Sequence, residues 1–266
     1  MKQFEIAQGG VIGRDHRLTP KNYQDGRCLY QNDDFTVAIV TDGCGSSLHS
    51  EIGAQLGAKL MCRYLANECQ RVGSSDQIQW SRVLQNLQST MHGLARELGE
   101  SLSQVVMDYL LFSIVGVVIS KSETIFFSIG DGVIVINDEV NVVEPMEGNQ
   151  PQYWAYQLVE SNLGEAGALK EMTFFRSMPT EELNSFLIGC DGISDLISLQ
   201  DKTLPGLDEN IGTLSQFWEE DHFFTNSDMV SRRLRLVARD WPKKSPQPGL
   251  LPDDTTLIVG RRLITQ

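Results

Sequence analysis

Four acidic turns hold the chemistry that this sequence offers. Asp25 follows Asn22-Tyr23-Gln24, Asp42 precedes Gly43 at the end of the apolar run Val37 to Val40, Asp191 precedes Gly192 after a second apolar run, and Asp253-Asp254 leads into a third. An aspartate at a strand end, followed by glycine or a turn, puts a carboxylate on the rim of a sheet. Several carboxylates on one rim repel each other and raise each other's pKa. A hard divalent cation removes that penalty. Mg²⁺ and Mn²⁺ favour oxygen ligands with retained waters, and a pair of such ions acidifies water for attack on phosphorus. Taken singly, each Asp-Gly is an ordinary turn signal, because glycine supplies positive φ and aspartate caps locally. Asp131-Gly132 is read as such a turn. The inference rests on the set.

The elements that must position these residues follow from hydrophobic period. Val37 to Val40 reads as a buried strand, as do Leu110 to Ile119, Thr124 to Ile129, Gly132 to Ile136, Val140 to Val143, Ser185 to Gly189 and Thr255 to Val259. Short turns between residues 110 and 143 predict an antiparallel meander, since parallel crossovers need longer connections. Ser50 to Asn67 is helical, with Ile52, Leu56, Leu60 and Tyr64 on one row. Trp80 to Leu102, Ile193 to Ser198 and Asp228 to Trp241 are helical as well. Bunched strands set apart from helices predict an α+β layered fold rather than βαβ repetition.

Composition narrows the function classes. The 266 residues are 41% hydrophobic and 21% charged, which excludes a chain that is disordered as a whole. Lys plus Arg is 22 and Asp plus Glu is 35, giving a net charge of −13. Such a surface repels a phosphate backbone, so no nucleic-acid partner is expected. No run of about 18 apolar residues spans a membrane, and no secretory leader is read at the N-terminus. A cytoplasmic, monomeric protein is therefore expected. The five cysteines are odd in number and scattered, which implies neither a disulfide framework nor a structural zinc site.

Four segments carry a family resemblance. They are Gly13-Arg14-Asp15-His16 with Asn22-Tyr23-Gln24-Asp25; Val37 to Ser47 with Ser50-Glu51-Ile52-Gly53-Ala54; Gly189-Cys190-Asp191-Gly192-Ile193-Ser194-Asp195; and Asp253-Asp254-Thr255-Thr256. In this order they resemble the motifs of the metal-dependent protein phosphatase 2C family of serine/threonine phosphatases, in its bacterial variant. The resemblance spans nearly the whole chain. It implies one domain over residues 1–266, built as a β-sandwich of two antiparallel sheets flanked by helical pairs in four α-β-β-α layers, with a flap-like insertion near 145–179.

The resemblance also implies a cofactor and roles. Two Mg²⁺ or Mn²⁺ ions, and a third, would serve hydrolysis of phosphoserine or phosphothreonine in a protein substrate. Asp42 would bridge two ions and the Gly43 carbonyl would bind one of them. Asp191 and Asp253 would bind the second, and Asp25 would support the site. Asp195, with Asp191 and the strand-leading Asp108, would hold the third. Pro20 stands where many members carry a phosphate-binding arginine, so His16, with Arg14 or Arg17 nearby, is the expected phosphate contact. Gln24 replaces a common glutamate, and Cys44 replaces a common histidine or methionine. These departures leave one alternative open: a phosphatase-like protein that binds a phosphoprotein or partner without useful turnover.

Overall fold

Ten strands form among the described residues, most of them rich in β-branched and aromatic residues: β1 (Phe4–Val11), β2 (Gly26–Gln31), β3 (Thr36–Gly43), β4 (Phe112–Ile119), β5 (Glu123–Ile129), β6 (Gly132–Ile136), β7 (Glu139–Val143), β8 (Met172–Pro179), β9 (Ser185–Gly189) and β10 (Thr255–Arg262). The computed structural model describes residues 3–144, 153–159, 172–241 and 248–263. The strands sort into two antiparallel sheets, ordered β2-β3-β4-β5-β8 and β1-β10-β9-β6-β7. The helices are α1 (Arg14–Leu18), α2 (Ser50–Val72), α3 (Trp80–Leu98), α4 (Leu102–Val105), α5 (Gly192–Ser198), α6 (Gln216–Glu219), α7 (His222–Thr225) and α8 (Met229–Ala238).

Alternation along β3 shows why four layers form. Val37 and Ile39 face α2 and α3, where they meet Ala58, Met61, Leu65 and Leu84. Ala38 and Val40 face the other sheet and pack with Ile134, Phe186, Ile188 and Ile258. On the far side, Val133, Leu187 and Leu257 pack under Ile193 of α5 and Val230 and Leu234 of α8. A strand buried on both faces needs an unbroken apolar run, and β3 and β9 have one. No helix among the described residues is long and apolar enough to cross a membrane.

The structure corrects three expectations. The run from residue 110 to 143 is not one meander. β4 pairs β5 in one sheet, β6 pairs β7 in the other, and the chain changes sheet at Gly130-Asp131. The buried stripe of α2 is Ala54, Ala58, Met61 and Leu65, whereas Ile52 and Leu56 lie at the exposed boundary; small residues let the helix lie close on the sheet. The flap-like insertion expected at 145–179 is largely framework where it is described. Trp154, Ala155 and Leu158 pack into the core beneath α3, and Met172–Pro179 is β8, paired with β5. The rest of that segment, 145–152 and 160–171, lies outside the described residues.

Antiparallel pairing fixes the site's location. β3 and β9 end at the rim where β2, β4, β6 and β10 begin: Gly26 pairs Thr41, Asp42 pairs Ser113, and both Val133 and Leu257 pair Gly189. Asp25, Asp42, Asp131, Asp191 and Asp253 therefore fall at one end of the sandwich, although up to 228 residues separate them in sequence.

Candidate metal centre

Asp42 leaves the end of β3 beside Asp25, which immediately precedes β2. A side chain on Gly43 would start 2.6 Å from the Gln24 carbonyl oxygen, so only glycine lets the two turns approach this closely. Asp25 is 1% exposed, and its Oδ2 accepts from Thr256 Oγ1 at 2.6 Å, while its Oδ1 has no partner. Ligating atoms of Asp25, Asp42 and Cys190 lie within 4.8 Å of one another. Asp42 and Asp191 share a hydrogen bond between carboxyl groups.

This crowding appears in the electrostatics. Burial, then the charges of Asp25 and Asp191, push the Asp42 carboxyl well above the usual range. Burial and the Asp254 charge do the same to Asp25. Asp191, open to the cavity yet hemmed in by carboxylates, is raised by desolvation to about 6, with Asp253 and Asp131 adding to the rise. Asp195 is raised by burial and by Asp253. Each shift shows that these carboxylates lack positive charge. Oxygen donors with an unpartnered buried oxygen suit a hard divalent cation.

The sites expected from sequence separate into those that converge and those that do not. Asp191, Asp195, Asp253 and His16 line one cavity of about 530 Å³, and Asp42 and Asp25 lie beside Asp191 without lining it. Asp108 is not there. It lies in a single π-helical turn, Val106–Leu110, that faces the start of α2. Its carbonyl accepts from the His49 N–H at 2.7 Å, and its carboxylate takes the Gln104 amide at 2.8 Å. It lines a separate cavity with Lys21 and His49. Arg14 does not line that cavity; its guanidinium is on Asp15 at 3.1 Å and on the Gly249 carbonyl at 3.4 Å.

Two residues escaped the reading of the sequence. Asp131 is no plain turn. The sheet change at Gly130 delivers it, buried, into the cavity with Asp191 and Asp195, and Ser113 of β4, the cross-strand partner of Asp42, holds its carboxylate. Gly132 follows at φ +142, a conformation open to glycine. The second is Asp254, 2% exposed, which accepts the backbone N–H of Gly13 at 2.7 Å and that of Gln24 at 2.5 Å. His16 Nδ1 lies 3.0 Å from Asp254 Oδ1, off the hydrogen-bond direction, and 3.6 Å from Asp253 Oδ1. Asp254 thus pins the first-motif loop to the loop that carries Asp253. The doubled aspartate was visible in the sequence, but nothing there distinguished the rim residue from the buried one.

The model for the family described as protein phosphatase 2C matches residues 12–234. No sequence match to a curated protein reaches significance. Among solved structures, the chain is similar to the serine/threonine phosphatase Stp1 from Staphylococcus aureus at 12% identity, with a TM-score of 0.53, covering 100% of this chain and 96% of that one. It is similar to the catalytic domain of the serine/threonine protein phosphatase PstP in complex with two manganese ions, at 13% identity and a TM-score of 0.51, covering 98% and 99%. A bacterial serine phosphatase matches at 11% identity and a TM-score of 0.52, covering 99% of each chain. At these identities the likeness is one of fold.

Proposed function

The chain belongs to the protein phosphatase 2C family, and from that premise we propose how its own residues serve a metal-dependent protein serine/threonine phosphatase. The observation that carries the reading is that Asp191, Asp195 and Asp253 share one cavity, with Asp42 and Asp25 beside Asp191 and no lysine or arginine among the described residues of its lining. A phosphate dianion does not enter an acid-lined cavity unless cations neutralise it. Mg²⁺ or Mn²⁺ bound there would supply that neutralisation and would acidify the attacking water.

Asp42, Asp191 and Asp253 are the proposed ligands, with the Gly43 carbonyl alongside and Asp25 supporting from behind. Asp131, with Asp191 and Asp195, is proposed for the third-ion role that the family resemblance implied for Asp108, because those three share the cavity and Asp108 does not. His16 is the proposed phosphate contact. Its Nδ1 lies close to the Asp254 and Asp253 carboxylates, and its Nε2 is left facing the turn at Gly45. Arg14 engages Asp15 and the Gly249 carbonyl, and the phosphate role goes to His16 rather than to it. The departures at Gln24 and Cys44 leave the carboxylate set complete, and they do not favour an inactive binding protein.

A titration calorimetry series tests the assignment. Saturable Mn²⁺ binding is expected in the wild type, is weakened by Asp131→Asn, and is unchanged by Asp108→Asn. Equal weakening by both substitutions would return the third-ion role to Asp108, and absence of saturable binding would remove the metal reading altogether.

A further inference from the structure

Behind Asp25, away from the acid-lined cavity, a second cavity of about 370 Å³ is lined by Tyr23, Asp25, Arg27, Cys28 and Lys59, among others. Cys28 stands in β2, three residues after Asp25. It pairs in register with Ile39, and like Ile39 it packs toward α2. There its thiol meets that of Cys62, which is 1% exposed and whose one proton has two acceptors in reach, the Cys28 sulfur and the Val37 carbonyl at 3.7 Å. All five cysteines are free thiols. One thiol of the pair thus borders a cavity, and the other is buried behind it in contact.

The two thiols are chemically unequal. The hydrogen bond from Cys62, helped by Lys59, lowers Cys28 to about 7 despite partial burial. That same hydrogen bond and burial hold Cys62 protonated. A reachable thiolate-forming cysteine backed by a protonated partner is the arrangement of an attacking and a resolving thiol. Cys69, by contrast, is buried without such a partner and is pushed up to about 12.

We propose that Cys28 is an oxidation site for peroxide, and that Cys62 resolves the product to an intramolecular Cys28–Cys62 disulfide. In the first step the Cys28 thiolate sulfur attacks a peroxide oxygen, the O–O bond breaks, and hydroxide leaves, giving a sulfenic acid. In the second, the Cys62 sulfur attacks the Cys28 sulfur, the S–O bond breaks, and the Cys62 proton departs with the oxygen as water. The hydroxide takes up the proton that Cys28 had released. Two thiols lose two electrons in total, and one peroxide becomes two waters.

The bond would tie β2 to α2, and both elements hold the metal rim. Asp25 leads into β2. Ser50 Oγ, at the start of α2, donates to the Cys44 carbonyl at 3.0 Å, and Thr41 Oγ1 donates to the Ala54 carbonyl of α2 at 2.8 Å. Oxidation at this joint therefore acts on the catalytic rim without touching a metal ligand.

The test uses the full chain, hydrogen peroxide, denaturing alkylation and peptide mass analysis, so its readout is covalent and independent of turnover. The expected result is joint loss of alkylatable Cys28 and Cys62, on the order of tenfold or more faster than loss of Cys69, with a linked peptide pair that dithiothreitol separates. Cys62→Ser and Cys62→Ala are both expected to stop at a Cys28 sulfenic acid that dimedone traps, and Cys28→Ser to leave Cys62 alkylatable. Melting curves under reducing conditions establish that each variant is folded. Overturning results are a wild type whose Cys28 and Cys62 both stay alkylatable, one whose Cys28 oxidises without linkage, or one that links Cys28 to another cysteine.

Discussion

Asp191 and Asp254 illustrate two different uses of a carboxylate. Asp191 is raised from an ordinary 3.8 to about 6, so between those values the metal-free folded chain binds more protons than the unfolded one. Its stability therefore falls as pH rises from about 4 to about 6 and stays lowered above. Asp191→Asn removes that dependence. In EDTA the variant's Tm is expected to exceed that of the wild type by more at pH 7.5 than at pH 4.5; a pH-independent difference would refute the electrostatic account of the cluster. Asp254 instead closes two buried N–H groups, those of Gly13 and Gln24. Asp254→Ala leaves both unpaired at about 1–3 kcal/mol each. Denaturant unfolding should show a loss of about 2–5 kcal/mol, with Asp254→Asn, which keeps one acceptor oxygen, losing about half as much. Equal, small losses would mean that the two loops are held by other contacts.

At the level of elements, the change of sheet between β5 and β6 decides what the site contains. It needs Gly130 at φ +83 and Gly132 at φ +142, and a Cβ at Gly132 would fall 2.5 Å from Val115 Cγ2 and 2.7 Å from the Gly189 carbonyl oxygen. Gly132→Ala is expected to cost more than about 1 kcal/mol, because alanine cannot adopt that φ without strain. It should also weaken Mn²⁺ binding by displacing Asp131, and calorimetry with a thermal melt reads both effects. A variant with wild-type stability and affinity would show that the turn is not constrained. β3, β6, β9 and the two long helices were legible in the sequence because strands buried on both faces and amphipathic helices have strong periods. β1 and β2 were not, because Gly9, Gly10 and Gly26 and partly exposed polar residues interrupt them. β8 was missed because it is an edge strand with exposed positions. Short turns look alike whether a strand returns beside its neighbour or crosses to the other sheet, so the position of Asp131 depended on pairing, which period does not encode. Asp108 was misplaced for a related reason: it precedes a strand, but it lies in a π-helical turn and lines a separate cavity with Lys21 and His49.

The whole molecule carries a net charge of −13 and collects its least tolerable negative charge at one rim. Metal binding and folding are then linked, since cations that bind the folded rim and not the unfolded chain stabilise by about 2.7 kcal/mol at 100-fold excess over Kd. A rise in Tm with Mn²⁺, reversed by EDTA and absent in Asp42→Asn, is the expected outcome; an identical rise in that variant would place the stabilising ion elsewhere. The most direct test of the central claim is hydrolysis of p-nitrophenyl phosphate with Mn²⁺, with EDTA, and with Asp191→Asn. Turnover that requires the metal and falls by on the order of 10²-fold or more in the variant is expected. A folded, Mn²⁺-saturated wild type without turnover, or turnover untouched by EDTA and by Asp191→Asn, would contradict it.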